Sequence, residues 1–252
     1  MAFYEFESLR AAEVAHGVFT RLGGVSEGMY ASLNLSRSTG DSAEAVQANR
    51  DRMNGVFGLA YADTLTAWLV HGNGVRVISA ADRGQNDVHA DAMVTNTPGL
   101  ALTLRFADCV PVLFHDPVQR VIGIAHAGWR GYVCGVLAAT VQTLQQAYGC
   151  RPQDILACVG PSIGPTAFEV GDDVAAQIQA CVSAPVIDKD PSRPEQKPRV
   201  NLWRAAESQL KDAGVEQVEI ANICTASNTH EWFSHRAEQG KTGRFGALLM
   251  LG

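Results

Sequence analysis

Three side chains that bind transition metals stand where apolar segments of the chain meet turns. Cys109 follows the apolar run that begins at Ala101, and His126 lies at the end of a second run that begins at Val121. His71 interrupts a third apolar stretch at a Gly-Asn-Gly turn. A thiolate and two imidazoles match a catalytic zinc site, which takes three protein ligands and leaves a fourth position open. The sequence therefore predicts one metal site built from these three residues.

Each of the three residues also has an ordinary structural explanation. A histidine near a strand end is often a surface residue or a hydrogen-bonded core residue, and a free cysteine often packs as a small apolar side chain. Their coincidence in three separate segments favours a site without establishing it. Two of them also support another chemistry, in which Cys109 is a nucleophile and His126 is its base.

Charged residues close to these segments are candidates for the remaining chemistry. Asp108 and Glu169 are candidate proton carriers, because water activated by a metal needs a nearby carboxylate to move protons. Arg130 lies in the turn after His126, where a guanidinium and backbone N–H groups would meet an anion. The competing interpretation is that Arg130 pairs with a carboxylate while Trp129 packs the turn.

Strands and helices alternate along the chain and are expected to position these side chains. Apolar spacing and capping residues predict helices over 43–58, 132–148, 172–182 and 202–213, the last beginning at Asn201 as its N-cap. Short β-branched or aliphatic runs predict strands at 14–20, 65–70, 74–79, 100–107, 110–115, 120–126, 155–159, 217–223 and 245–251. Short turns between several strands favour mixed or antiparallel pairing. Proline and charge predict a solvated surface loop at 188–198.

Composition excludes several classes of protein. At 252 residues one domain is as plausible as two, and a single domain, 1–252, is predicted. The net charge of -6 argues against a nucleic-acid surface, which needs a basic stripe. The first residues lack the apolar core of a signal peptide, and no apolar run reaches the roughly 18 residues that a membrane span requires. A cytoplasmic location is therefore expected. The six cysteines show no C-x-x-C spacing and are expected to be thiols.

Two longer motifs carry a resemblance to a known family. The strings Ala107-Asp-Cys-Val-Pro-Val-Leu-Phe-His-Asp-Pro117 and His126-Ala-Gly-Trp-Arg-Gly131 resemble the signature motifs of the bacterial YfiH-type proteins, a family that also contains the human laccase-domain protein. The similarity continues through segments 21–26, 30–35, 159–164, 168–171 and 240–244, so it spans nearly the whole chain. Several ordered motifs rich in glycine and tryptophan are more specific than one short pattern.

The resemblance implies the same three metal ligands. They are the histidine of a V-H-G segment, the cysteine of A-D-C and the histidine of H-A-G-W-R-G, which here are His71, Cys109 and His126. It implies zinc as the metal, with copper also proposed, and an α+β fold in which mixed β-sheets pack as a sandwich with helices outside.

Two positions depart from the family pattern. Leu69 replaces a frequent glutamine, which puts in doubt an amide beside His71, and Ser162 replaces a cysteine, which indicates that no thiol is needed there.

The activity that the resemblance implies is phosphorolysis of the purine nucleosides adenosine, inosine, guanosine and methylthioadenosine, with adenosine deamination as a companion activity. Arg21, Arg236 and Arg244 lie in matched motifs and are, with Arg130, candidate substrate-binding residues for phosphate. The expected partners are a small-molecule nucleoside and phosphate, without nucleic acid or membrane. A monomer or small homo-oligomer is expected.

Other functions compete with this one. A relative of the family has been linked to editing of peptidoglycan precursors, an amide hydrolysis that the same metal would support, and the metal-free cysteine hydrolase needs only Cys109 and His126. The family's older name indicates a copper oxidase of phenols, but multicopper sites use paired H-x-H motifs, and this chain has seven histidines and none of those motifs. A metal-sensing or scaffold protein is the non-enzymatic alternative. Metal content separates these functions.

Overall fold

The chain folds as an α+β sandwich of two mixed β-sheets with helices on the outer faces. The structure is a computed structural model that describes residues 1–85, 88–190, 192–193 and 195–252. The strands are β1 (Phe3–Tyr4), β2 (Ala15–Phe19), β3 (Thr64–Thr66), β4 (Val75–Val77), β5 (Ala92–Thr95), β6 (Ala101–Phe106), β7 (Val110–Asp116), β8 (Val121–Ala127), β9 (Leu156–Val159), β10 (Ile187–Asp188), β11 (Arg199–Val200), β12 (Gln217–Ile220) and β13 (Phe245–Met250). The α-helices are α1 (Glu7–Ala11), α2 (Ala43–Gly55), α3 (Trp129–Val133), α4 (Val136–Tyr148), α5 (Asp172–Ala180) and α6 (Leu202–Asp212). The fold class predicted from the resemblance is confirmed.

The two large sheets differ in strand order but share the mixed pairing that the short turns predict. One sheet has the order β1-β2-β13-β6-β3, and the other has the order β12-β9-β7-β8-β5-β4. Parallel pairs occur between β3 and β6, between β4 and β5, and between β12 and β9. The central hairpin of β7 and β8 is antiparallel and sets Pro111 opposite His126. Strands β10 and β11 form a separate antiparallel pair.

Alternate residues of the central strands face two different cores, which explains why these strands read as continuous apolar runs. In β8, Ile122 and Ile124 pack between the two sheets, whereas Val121 and Ala125 face the layer of α4 and α6. A third cluster, which includes Met53 of α2, covers the outer face of the five-stranded sheet. The metal-binding candidates therefore sit on a scaffold that is buried on both faces.

Several elements differ from the sequence-based prediction for local reasons. The helix predicted over 132–148 is divided into α3 and α4, because Gly135 adopts a left-handed φ of 75°. The strand predicted at 65–70 ends at Thr66, and β1, α1, β5, β10 and β11 were not predicted. In the loop predicted at 188–198, Pro191 and Pro194 lie outside the described residues, while most of the other positions are exposed. Within the described ranges, no helix is long and apolar enough to cross a membrane.

Candidate metal centre

Two connections between strands and one strand bring His71, Cys109 and His126 together. Cys109 lies between β6 and β7, His126 lies on the neighbouring β8, and His71 lies in the irregular segment between β3 and β4. One donor atom from each residue lies within 4.8 Å of the other two. His71 is exposed, Cys109 is half-buried and His126 is buried, so the group faces outward from the core. This arrangement is close enough for one ion to contact all three after small side-chain adjustments.

A buried carboxylate positions two of the three donors. Asp91 is fully buried just before β5. Its Oδ1 accepts hydrogen bonds from Nδ1 of His126 at 3.1 Å and from the backbone N–H of His71 at 3.0 Å. Its Oδ2 accepts from the backbone N–H of Gly72 at 2.7 Å. Because a carboxylate only accepts, Nδ1 of His126 carries a proton, and the neutral ring keeps Nε2 as a lone-pair donor for a metal.

Two residues beside the site adopt a left-handed backbone conformation that non-glycine residues rarely use. His71 has a φ of 58° and Asp108 has a φ of 80°. Such strain persists only where the surroundings fix the conformation. The two bonds to Asp91 hold the turn of His71, and three hydrogen bonds to the side chain of Asp108 hold the turn before Cys109.

A glycine keeps the space beside the donors open. A Cβ at Gly128 would lie 3.1 Å from Sγ of Cys109, 3.3 Å from Nδ1 of His71 and 3.8 Å from Cε1 of His126. The φ of Gly128 is -78°, which any residue adopts, so the small size of glycine matters here rather than its flexibility. Two imidazoles and a thiol around an open space match the donor set of a catalytic zinc site. The residues present therefore fit a metal ion.

Opposing effects act on the pKa of the two histidines. Burial lowers the pKa of His126, but the Cys109 thiolate and the Asp91 carboxylate outweigh burial and raise it to about 9. The pKa of His71 is lowered, first by burial and then by the positive charge of His126. The protein without metal therefore favours a protonated His126, and a metal that binds here must displace that proton.

A cavity of about 420 Å³ opens onto the donors. This volume falls in the range of about 300–1,000 Å³ that is typical of small-molecule sites. Its wall carries two aromatic rings, each with a guanidinium beside it. The guanidinium of Arg130 lies 4.3 Å from the ring centroid of Trp129, and that of Arg236 lies 5.4 Å from the ring centroid of Phe168. The cavity therefore offers flat apolar surfaces and positive charge next to the metal-binding candidates.

The two predicted proton carriers are placed differently. Asp108 lines the cavity, and its carboxylate accepts hydrogen bonds from Thr225 Oγ1 at 2.7 Å, Ser234 Oγ at 2.8 Å and the backbone N–H of Arg236 at 2.6 Å. Glu169 is exposed and is not among the described residues that line the cavity. The structure therefore brings Asp108 to the site and leaves Glu169 outside it.

The predicted arginines also divide into two groups. Arg130, Arg236 and Arg244 line the cavity. The structure does not bring Arg21 there, because its guanidinium forms an ion pair of 2.9 Å with Glu238 and donates to two backbone carbonyls. Arg21 therefore fixes the loops that surround it.

The two departures from the family pattern occupy distinct environments. Leu69 lines the cavity and places an apolar side chain on the wall that also carries His71. Ser162 is fully buried, and its hydroxyl accepts a hydrogen bond from Nε1 of Trp203 at 2.8 Å. A hydroxyl satisfies the indole N–H at this position, which agrees with the prediction that no thiol is needed.

Asp91 and Arg105 contribute to the site and were not predicted from the sequence. Each is the one residue of type Asp, Glu, Lys or Arg in a largely apolar run, at 88–95 and 100–107 respectively. A charge in such a run is rarely buried without a partner, so this pattern was an available signal. The partners themselves come from distant segments and are visible only in the folded chain.

Comparison with known proteins gives a consistent result along the chain. A family model described as multi-copper polyphenol oxidoreductase laccase matches residues 15–252. The chain is 39% identical over 246 residues to a purine nucleoside phosphorylase of Deinococcus radiodurans, covering 96% of this chain and 92% of that protein. It is 35% identical over 258 residues to a purine nucleoside phosphorylase of Bacteroides thetaiotaomicron, covering 98% and 95%. The crystal structure of the hypothetical protein YfiH from Bacillus licheniformis has a TM-score of 0.92 and 31% identity, covering 100% of this chain and 97% of that one.

Proposed function

The chain belongs to the family of multi-copper polyphenol oxidoreductase laccases, which includes the YfiH proteins, and on this premise we propose that it is a zinc-dependent purine nucleoside phosphorylase. The observation that carries the proposal is the set of donor atoms from His71, Cys109 and His126 within 4.8 Å of one another. The names of the relatives support the substrate class. Copper is the alternative metal.

The side chains of the cavity have separable roles in this proposal. When bound, zinc would supply Lewis acidity at the open position of the site. Asp91 fixes the orientation of the His126 ring. The rings of Trp129 and Phe168 offer faces on which a purine base packs. Arg130, Arg236 and Arg244 give this cavity the positive charge that attracts an anionic co-substrate.

In phosphorolysis, an oxygen of phosphate forms a bond to the anomeric carbon of the ribose while the bond from that carbon to the purine nitrogen breaks. The base leaves with the bonding electron pair and takes up the proton that the attacking phosphate gives up, which yields free base and pentose 1-phosphate. We assign the proton transfer to Asp108, because it lines the cavity and Glu169 does not. The proposed substrates are adenosine, inosine, guanosine and methylthioadenosine, and the proposed companion activity is deamination of adenosine by water.

Product analysis with and without phosphate tests this function. The purified protein is incubated with inosine or adenosine, and free base, pentose phosphate and ammonia are measured. We expect base and pentose phosphate to form in equal amounts and only when phosphate is present, with ammonia released from adenosine alone. Base release that continues unchanged without phosphate would indicate a hydrolase.

The metal-free cysteine hydrolase is the second candidate function, and one observation favours it. Burial lowers the pKa of His126, but interactions with Cys109 and Asp91 raise it to about 9, and a protonated imidazole beside a cysteine is also the arrangement of a cysteine nucleophile. Amide hydrolysis of peptidoglycan precursors would use the same residues. A multicopper oxidase needs more donors than the one group of three found within the described residues.

A further inference from the structure

A second cavity, of about 400 Å³, adjoins the metal-binding candidates. It shares Leu69, His71, Arg105 and Arg244 with the first cavity, so the two spaces meet beside one of the proposed metal ligands. Its described lining contains four arginines and no aspartate or glutamate. We call it the arginine cavity, after Arg37, Arg50, Arg105 and Arg244.

The hydrogen bonds of these arginines go to uncharged groups. Arg105 donates to Thr66 Oγ1 at 2.9 Å and to the carbonyl of Ala67 at 2.7 Å. Arg50 donates from Nε to the carbonyl of Leu35 at 3.0 Å, and Arg244 donates to two backbone carbonyls. In the described part of the chain, no carboxylate forms an ion pair with Arg50, Arg105 or Arg244. A guanidinium has five N–H donors, so each of these side chains keeps donors for a ligand.

The arginines also repel one another. Burial lowers the pKa of Arg105 to about 10, and the positive charge of Arg50 lowers it as well. The pKa of Arg50 is lowered by burial and then by the charge of Arg37. Arg50 and Arg105 stay charged at neutral pH. Half-buried charges of one sign around one space cost free energy that an anion in that space would offset.

We propose that the arginine cavity binds inorganic phosphate and presents it to a nucleoside held in the adjoining cavity. This inference rests on the proposed function, because it assigns the co-substrate of that reaction to a place. Planar guanidinium groups match a phosphate group with two parallel hydrogen bonds. Of these two cavities, Arg50 lines the arginine cavity alone and binds the phosphate there, whereas Arg105 and Arg244 line both cavities and contact it where the cavities meet. The nucleoside and the phosphate then reach the same edge, beside His71, from two separate spaces.

Titration with inorganic phosphate tests this assignment independently of turnover. Isothermal titration calorimetry is carried out on the metal-loaded protein, on Arg50→Gln and on Arg52→Gln. Arg52 also lies on α2 and also donates to a backbone carbonyl, but it does not line either cavity. We expect Kd for phosphate to rise roughly tenfold or more in Arg50→Gln, because a charge-assisted contact is lost. The control removes the same charge from the same helix and is expected to keep the wild-type Kd. If Arg50→Gln does not fold, Arg37→Gln at the exposed rim of the same cavity is expected to raise Kd by a smaller factor.

The outcomes separate this inference from the proposed function. If Arg50→Gln weakens phosphate binding but the wild-type protein does not split nucleosides, the anion site is retained and the phosphorylase function is rejected. If the protein catalyses phosphorolysis and the KM for phosphate is equal in the wild type, Arg50→Gln and Arg37→Gln, the phosphorylase function is retained and the arginine cavity is rejected as the phosphate site. Absence of phosphate binding by the wild type would also reject the arginine cavity as a phosphate site. Binding of a 5′-phosphorylated nucleoside without binding of inorganic phosphate would overturn the co-substrate assignment.

Discussion

Asp91 contacts both histidines of the candidate metal centre, so the site depends on a residue that is not itself a donor. One carboxylate oxygen accepts from the His126 ring and from the backbone of His71, and the other accepts from Gly72. Hydrogen-bonding partners of this kind orient a ligand and fix which ring nitrogen is protonated. The metal affinity therefore responds to a change at position 91 even when all three donors are intact.

Replacement of Asp91 by asparagine is expected to weaken metal binding about 10- to 100-fold, as loss of a carboxylate partner of a metal-binding histidine typically does. Competition titration with a zinc chelator measures the affinity. The matched control is Asp116→Asn, which changes another fully buried aspartate, at the end of β7. Equal affinity in Asp91→Asn and the wild type would show that the carboxylate does not support the site.

The donor residues distinguish the metal site from a cysteine nucleophile, because the two functions give His71 different roles. For a metal site, Cys109→Ser and His71→Ala are each expected to lower metal content and activity together, and Cys109 is expected to react slowly with alkylating agents while metal is bound. Elemental analysis and base-release assays on the same samples measure this. Full activity in chelator-treated protein or in His71→Ala would establish the cysteine hydrolase instead.

At the scale of elements, a histidine connects β2 to the start of α1. His16 is buried on β2, its Nε2 accepts from the backbone N–H of Phe6 at 2.8 Å, and its Nδ1 donates to the carbonyl of Val14 at 2.8 Å. Burial lowers the pKa of His16 below its ordinary value of 6.5. The neutral ring is therefore the form that the fold requires, since protonation of Nε2 would remove the acceptor for Phe6.

This contact predicts a dependence of stability on pH. Because the folded pKa of His16 is lowered, its contribution is present above about pH 6.5 and is lost as the pH falls from there toward the lower folded value. One proton taken up on unfolding adds a slope of up to about 1.4 kcal/mol per pH unit. His16→Gln keeps an acceptor and a donor but does not titrate, so urea unfolding between pH 5 and 7 is expected to show a shallower slope.

The exposed His230 supplies the matched control, because His230→Gln leaves both hydrogen bonds of His16 intact. This variant is expected to keep the wild-type slope. An identical slope in His16→Gln and the wild type would contradict the prediction.

The elements that local patterns specify were predicted, and those that depend on distant partners were not. Strands β6, β7 and β8 form continuous apolar runs, and Asn201 caps α6 through a hydrogen bond from Arg204, as predicted. The same patterns located His71, Cys109 and His126, and the resemblance to the YfiH family is confirmed. The end of β3 at Thr66 and the position of β5 depend on pairing with distant strands, which leaves no periodic signal in the sequence. The ion pair of Arg21 likewise depends on a residue more than 200 positions away.

At the scale of the whole molecule, one buried layer joins the two large sheets. Leu104 and Phe245 of the five-stranded sheet pack in the same cluster as Leu113 and Ile124 of the six-stranded sheet. Neither sheet buries its inner face without the other. We therefore expect residues 1–252 to unfold as one domain, which remains a prediction.

Calorimetry on a core variant tests this cooperativity. Ile124→Ala removes a fully buried side chain between the sheets and is expected to cost about 2–5 kcal/mol, while the protein keeps a single unfolding transition at a lower Tm. Val118, in the turn of the same hairpin, is 63% exposed, and Val118→Ala is expected to change stability by no more than about 0.5 kcal/mol. Two separated transitions in Ile124→Ala would show that the sheets unfold independently.

The hydrogen bonds of Asp91 fix the ring of His126 and the backbone of His71, so two of the three donor residues have a set geometry. Two nitrogen donors and one sulfur donor in a set geometry discriminate little between cations of similar size. The affinities of such sites follow the intrinsic order in which copper exceeds zinc. Occupancy then depends on the free concentrations that the surroundings maintain. We accordingly expect the ion in the purified protein to depend on supply as well as on sequence, so that a growth medium rich in copper or in zinc changes which of the two is bound without changing the fold.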